Sequence, residues 1–312
     1  MVEFITGDCL EWMRGQPAGR FDLVFGSPPY ADARYYLEGG ENLGIARKCA
    51  QWVEWMLAVT VEAHRICRGP VLWVAAGVTR KRNYWPACEG LVWEWWKRGG
   101  DFQLYRPCIF HRVSIPGSGG KDWFRSDWEY VLCFKHAGAL PWADNTACGR
   151  PPKHTVGGPL SYRNAAGRRK NARDEYGFTE GHVEPSESDR KKNGRKVQTR
   201  RKADGSRLRD GTYRQPKLAN PGNVVRCHVG GGLMGHPLCH ENEAPFPESL
   251  AEFFVRSLCP PGGLVLDPFS GSGTTAAVCT RFQRSCVAID LRASQNDIAQ
   301  RRLKGIQIEL IA

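Results

Sequence analysis

Two short stretches carry residue types suited to chemistry on a flat polar ligand. One is Ser27-Pro28-Pro29-Tyr30 and the other is Asp267-Pro268-Phe269-Ser270-Gly271-Ser272-Gly273-Thr274-Thr275. In the first, neither proline has an N–H and each fixes its own φ, so the backbone is a stiff bracket with outward-pointing carbonyls. A hydroxyl at one end and a phenol ring at the other add a hydrogen-bonding group and a stacking face. In the second, glycines let the backbone approach a ligand, and the N-terminus of a following helix supplies free amides. Asp290 lies 23 residues after Asp267, an offset at which an acid can accept hydrogen bonds from a ribose diol. Asp8, after the apolar opening Val2-Glu3-Phe4-Ile5, can accept from an amino group or hydroxyl, or cap the helix that follows.

These groups need a sheet to hold them. Phe21 to Phe25 is a continuous apolar run of the kind found in parallel strands covered on both faces, and it stops at Gly26. Leu264-Val265-Leu266 runs in the same way into Asp267, and Cys286 to Ile289 ends at Asp290. In open α/β sheets ligands bind beyond the carboxyl ends of strands, which is where each of these residues falls. A helix is expected from about Arg47 to Cys67, with Trp52, Met56, Val59, Ala63 and Ile66 on one face. Val71 to Val74 follows as a strand, giving the strand, helix, strand order of a right-handed crossover. Trp93, Trp95 and Trp96 fall on a second helix, further strands are expected at Cys108 to Val113 and Glu129 to Lys135, and helices at Glu248 to Cys259 and up to Phe282.

With 312 residues, 41% of them hydrophobic, the chain can build a large α/β domain carrying an insertion. Its net charge of +12 favours a polyanionic partner. Between Arg150 and Lys217 stand nineteen Lys and Arg against eight Asp and Glu, nearly the whole excess, with few large aliphatic residues. That segment cannot bury much core alone; it reads either as a solvated linker or as a DNA-contacting insertion, and the concentrated charge favours the second. Arg168, Arg169, Lys170, Arg195, Arg200 and Arg201 are its candidate phosphate contacts. The loop Pro116 to Gly120, followed by Lys121, Trp123, Phe124 and Arg125, suits a phosphate backbone or a flipped base, or is a plain hairpin loop.

No apolar run reaches membrane-spanning length and Met1 to Asp8 lacks a signal-peptide layout, so no membrane association and a cytoplasmic location are expected. The twelve cysteines are scattered without a Cys-x-x-Cys and read as buried free thiols. Cys227, His228, His236, Cys239 and His240 match no common finger spacing, and no metal is assigned to them.

Together the two motifs make the chain resemble the amino-group DNA methyltransferases that use S-adenosylmethionine, specifically the circularly permuted β-class. There the (Asp/Asn/Ser)-Pro-Pro-(Tyr/Phe) motif comes first, a target-recognition region follows, and the Phe-x-Gly-x-Gly motif lies near the C-terminus. Ala244-Pro245-Phe246-Pro247 also matches a family segment preceding the cofactor strand. The resemblance implies a Rossmann-like sheet, mostly parallel with one reversed strand. Residues 1–140 would form the catalytic half, 141–222 a basic target-recognition insertion and 223–312 the cofactor half. It implies Ser27, Pro28, Pro29 and Tyr30 as catalytic residues. Asp267, Phe269, Ser270, Gly271, Gly273, Thr274 and Asp290 would surround the cofactor, with Pro245 and Phe246 over its methionine part and Asp8 near its adenine. Double-stranded DNA would be the partner, in the cytoplasm of a bacterium or, for a phage-encoded protein, of the host, with the oligomeric state open between monomer and homodimer. Serine in the first motif position is associated with N4-cytosine modification. An N6-adenine enzyme of the same architecture and a non-catalytic DNA-binding protein remain the alternatives.

Overall fold

Each apolar run flanking the two motifs is a strand in the structure, a computed structural model that describes residues 1–31, 45–80, 82–113, 122, 124–158, 160, 161, 215–242, 244–304 and 306. In chain order the elements are β1 (Val2–Thr6), α1 (Cys9–Arg14), β2 (Leu23–Gly26), α2 (Ile45–Ile66), β3 (Val71–Ala75), β4 (Val78–Arg80), β5 (Asn83–Trp85), α3 (Ala87–Trp96) and β6 (Gln103–Leu104). They continue as β7 (Cys108–Val113), β8 (Trp128–Lys135), β9 (Val224–His228), short 3-10 turns at Gly231–Met234 and Pro237–Glu241, α4 (Glu248–Leu258), β10 (Leu264–Asp267), α5 (Thr274–Arg281), β11 (Ser285–Asp290) and α6 (Ala293–Leu303).

Among the described residues the main sheet has nine strands, ordered β1-β11-β10-β2-β3-β8-β7-β9, with β6 paired to β8. Strands β1, β11, β10, β2 and β3 are mutually parallel. Strand β8 runs against β3, β7 and β6, and β9 is parallel to β7, so β8 is the single reversed strand expected. The pairing of β10 with β2, Val265 beside Leu23 and Leu266 beside Val24, makes neighbours of two motifs some 240 residues apart in the chain. Their carboxyl ends lie side by side, flanked by those of β11 and β1.

Alternation along the strands sends side chains to two cores. Val24, Val71 and Trp73 pack on one face with Met13, Trp52, Met56, Val59 and Ala63 of the first two helices. Leu23, Phe25 and Val265 pack on the other with Leu250, Phe254 and Val278 of α4 and α5. The expected face of α2 is thus the buried one. On α3 only Trp95 of the three tryptophans is buried; Trp93 and Trp96 stack on each other at 5.2 Å on its exposed side. All twelve cysteines are free thiols, eleven of them buried. Among the described residues no helix is long and apolar enough to cross a membrane.

The chain divides into two compact units, one formed by Met1–Cys148 with Pro221–Ala312 and the other by Gly149–Asn220. The first keeps the stretch after β8 on its own surface, with the Asp144 N–H donating to Ser257 O at 2.9 Å. In the second, the Ala219 N–H donates to Arg150 O, and the Gln215 amide accepts from Val156 N and donates to His154 O. Lys121, Arg168, Arg169, Lys170, Arg195, Arg200 and Arg201 lie outside the described residues.

Candidate active site

At the carboxyl ends of β1, β2, β10 and β11 a single cavity is lined by Gly7, Asp8, Ser27, Pro28, Pro29, Tyr30, Phe269, Gly271, Asp290 and Arg292, among others. Both motifs therefore face the same space. Its two halves come into close contact at Gly26 and Asp267. A methyl group placed on Gly26 would come within 2.6 Å of Asp267 Oδ1, and the same oxygen accepts the Phe269 N–H at 3.0 Å. Asp267 is fully buried beneath the cavity and does not line it. Burial pushes its carboxyl up to about 7, against smaller lowering effects of the Thr275 hydroxyl and the Phe269 N–H.

On the Ser-Pro-Pro-Tyr side, the Ser27 hydroxyl donates to Val74 O at 3.0 Å. Its proton is committed there, which leaves the oxygen lone pairs as acceptors on the cavity wall. Trp52 Nε1 donates to Pro29 O at 2.6 Å and pins the bracket from α2. Among the described residues no donor meets the Pro28 carbonyl. The Tyr30 hydroxyl donates to Glu129 Oε2 at 2.7 Å, and Glu129 Oε1 pairs with Arg112 Nη1 at 2.9 Å. Burial and the Glu129 carboxylate push the Tyr30 phenol well above its ordinary value, so it is a neutral donor with a fixed ring.

The glycine turn does two separate jobs. Gly271, at φ +48°, donates its N–H to Asp290 Oδ2 at 3.0 Å and lines the cavity, and a Cβ there would stand 2.6 Å from Asn242 Nδ2. Gly273, at φ +77°, has no role on the wall: a Cβ there would meet Ala299 Cβ at 2.7 Å, so this glycine lets α6 close on the turn. Asp290 Oδ1 accepts the Arg292 N–H at 2.9 Å, which aims the carboxylate while each oxygen keeps lone-pair capacity for hydroxyls. Asp8 caps α1 through the Glu11 N–H at 2.8 Å and also lines the cavity. Phe269 lines the cavity and packs between Trp55 and Trp73, at 5.8 and 5.7 Å. A cradle of this kind, with an acid beside a glycine amide and an aromatic wall, fits an adenosyl group bearing a ribose diol.

Other expected residues sit elsewhere. Phe246 is buried against Phe25, with ring centroids 5.4 Å apart, and neither it nor Pro245 lines the cavity; Asn242 and Ala244 do. Ser270 and Thr274 are buried under the turn, and Thr274 Oγ1 accepts from Arg302 Nη1 at 3.0 Å. Arg125 is exposed, 3.7 Å from Asp127. Sequence reasoning missed Glu129, Arg112, Trp52 and Arg302 as parts of the site. Two carried a signal. Glu129 is a carboxylate inside an apolar strand, and Arg302 shares a helix face with Ile298 and Ala299.

Glu129→Gln keeps the shape but weakens the hold on Tyr30 and Arg112. Losing one charge-assisted hydrogen bond of ~1.5 kcal/mol is expected to lower the single-turnover rate about tenfold. Cofactor affinity, measured by titration calorimetry, is expected to stay unchanged.

Known proteins resemble this chain in family and in fold. The family model for DNA methylases of the N6/N4 type matches residues 21–301. The orphan methyltransferase M.BamHII of Bacillus amyloliquefaciens is 25% identical over 290 residues, covering 91% of this chain and 89% of that protein. The type II methyltransferase M.SmaI of Serratia marcescens is 45% identical over 60 residues, 19% of this chain and 20% of that protein. Among solved structures, the cytosine-N4-specific PvuII DNA methyltransferase superposes with a TM-score of 0.61 at 18% identity, covering 97% of this chain and 93% of that one.

Proposed function

The chain belongs to the N6/N4 DNA methylase family, and from that premise we propose that it moves a methyl group from S-adenosylmethionine to the exocyclic N4 amine of a cytosine flipped out of DNA. The observation that supports this reading is the shared cavity, with Ser27 and Pro28 on one wall and Gly271 and Asp290 on the other. S-adenosylmethionine supplies a methyl group on a positively charged sulfur. Asp290 and the Gly271 turn would hold its ribose, Phe269 would wall the cavity beside it, and Asp8 would stand near its adenine.

The chain's own residues address the harder half of the problem. An exocyclic amine has its lone pair delocalised into the ring and is a poor nucleophile. The Ser27 oxygen and the Pro28 carbonyl accept its two N–H bonds, favouring a more tetrahedral nitrogen whose lone pair points at the methyl group. Because Ser27 gives its own proton to Val74 O, it can only accept from the amine. The Tyr30 ring stacks on the base and offsets part of the cost of unstacking it from the duplex.

Cytosine is favoured over adenine by the hydroxyl at the first motif position, and the PvuII enzyme of the same fold is itself cytosine-N4-specific. Nucleoside analysis of methylated DNA separates the two amines; N6-methyladenine as the sole product would overturn the assignment. The basic stretch between Arg150 and Lys217 is assigned to the DNA backbone. Neutralising Arg168, Arg169, Lys170, Arg195, Arg200 and Arg201 together is expected to weaken DNA binding and flatten the dependence of log K on log salt by up to about five units. Filter binding across a salt series measures this slope, and an unaltered slope would make the segment a linker.

A further inference from the structure

Opposite the catalytic pocket, at the amino edge of the parallel strands, lies a side-chain cluster that methyl transfer does not use. We propose that His64, Asp101 and His136 form a binding site for a divalent transition-metal ion of the zinc type. Three separate elements bring them together. His64 is in the last turn of α2, Asp101 lies between α3 and β6, and His136 follows β8, whose reversed direction carries its end to the start of β3, where Phe134 pairs with Val71.

Asp101 Oδ2 lies 2.6 Å from His136 Nδ1 and 3.6 Å from His64 Nε2, and the two imidazole centroids are 3.7 Å apart. One donor atom from each of the three groups falls within 4.8 Å of the other two. His136 Nε2 stands 2.7 Å from Cys67 O and 3.0 Å from His64 O. Carbonyls only accept, so Nε2 carries the hydrogen. An imidazole that donates one N–H to a backbone carbonyl and presents its other nitrogen is oriented as metal-binding histidines are. The second pointer is His64, only 5% exposed, whose Nε2 faces the cluster and has no hydrogen-bond partner among the described residues. A buried ring nitrogen left unpaired is costly, and an ion shared with His136 and Asp101 would satisfy it.

Two imidazoles and one carboxylate are the donor set of zinc and its neighbours rather than of calcium or magnesium, which take oxygen ligands. Bonds of about 2.0–2.1 Å would need the two rings, 3.7 Å apart at their centroids, to splay and the Asp101 carboxylate to draw back from His136 by under about 1 Å. Its side chain is half exposed, which permits that shift and leaves a fourth position for water. The ion would tie α2 to the turn after α3 and to the end of β8, away from the reacting groups.

Metal-stripped full-length protein titrated with Co²⁺ tests this. The expected result is saturation at one equivalent with weak visible bands of nitrogen and oxygen ligation, reversed by Zn²⁺ and free of the near-ultraviolet thiolate bands that the cysteines would give. Asp101→Asn retains the acceptor for the Ala137 N–H and is expected to fold, and His136→Gln removes a nitrogen ligand; both should lose the bands while still binding S-adenosylmethionine. Absence of a one-equivalent site, thiolate bands in its place, or bands unchanged in both variants would overturn the proposal.

Discussion

Ser27→Ala is expected to lower the methyl-transfer rate about 10²–10³-fold, the usual cost of removing one preorganised hydrogen bond at a reacting centre. Affinity for S-adenosylmethionine should be nearly unchanged, because the cradle at Gly271 and Asp290 stands on the neighbouring strands β10 and β11. The geometry makes this substitution cleaner than most. Ser27 is half-buried, its hydroxyl proton goes to Val74 O, its oxygen is within hydrogen-bond reach of the Tyr30 phenol, and alanine removes the proposed amine acceptor without emptying a core position. The carbonyl of Val74 loses its donor, and because Ser27 itself lines the cavity a water can take the place of the lost hydroxyl. Rapid-quench single turnover with labelled cofactor, alongside calorimetric titration of the cofactor alone, separates the two effects. A rate within a few-fold of the parent would remove Ser27 from the proposed mechanism.

Arg302→Leu is the second large effect, and its readout is the cofactor. Arg302 is 1% exposed. Its Nη2 pairs with Glu248 Oε1 at 2.7 Å, while Nη1 reaches Ser272 O at 3.2 Å and Thr274 Oγ1 at 3.0 Å. The other oxygen of Glu248 is held by Arg281 at 2.7 Å. One guanidinium on α6 thus fixes the glycine turn to the first residue of α4. Removing it leaves a buried carboxylate with a single partner, at a cost of roughly 3 kcal/mol, the low end for a broken buried pair because Arg281 remains. Urea unfolding should show that loss. A purely structural role would stop there, whereas a positioning role also raises KM for S-adenosylmethionine with kcat at saturating cofactor nearly retained. An unchanged KM would reduce Arg302 to a structural residue.

The difference between what the sequence discloses and what it hides follows from the range of the interactions. Ser27-Pro28-Pro29-Tyr30 and the Asp267 to Thr275 turn are local signals, since proline and glycine act through their own backbone and the adjoining apolar runs announce their strands. The family match over residues 21–301 spans both of those signals. The support for Tyr30 is not local. It depends on β8 entering reversed beside β3, in the register that sets Ala75 opposite Tyr130, and only then does Glu129 come under the phenol. Asp8 and Asp290 line the same cavity because β1 pairs with β11 from the far end of the chain, Thr6 beside Asp290. Arg302 is hidden for another reason. In the run Gln300-Arg301-Arg302-Leu303 two adjacent arginines look alike, yet Arg301 reaches the half-exposed Glu241 while Arg302 is buried, and only the helix phase tells them apart. Phe246 shows the converse: its place in a familiar segment suggested a wall of the cofactor site, but its ring fills the core beside Phe25.

The most direct test of the central claim is to incubate the protein with double-stranded DNA and S-adenosylmethionine carrying an isotopically labelled methyl group, then digest the DNA and identify the labelled nucleoside by mass spectrometry. Label in N4-methyldeoxycytidine, lost with Ser27→Ala, is the result predicted. Label confined to N6-methyldeoxyadenosine would contradict the assignment of the base, and no label in DNA from protein that binds the cofactor would contradict methyl transfer at this site.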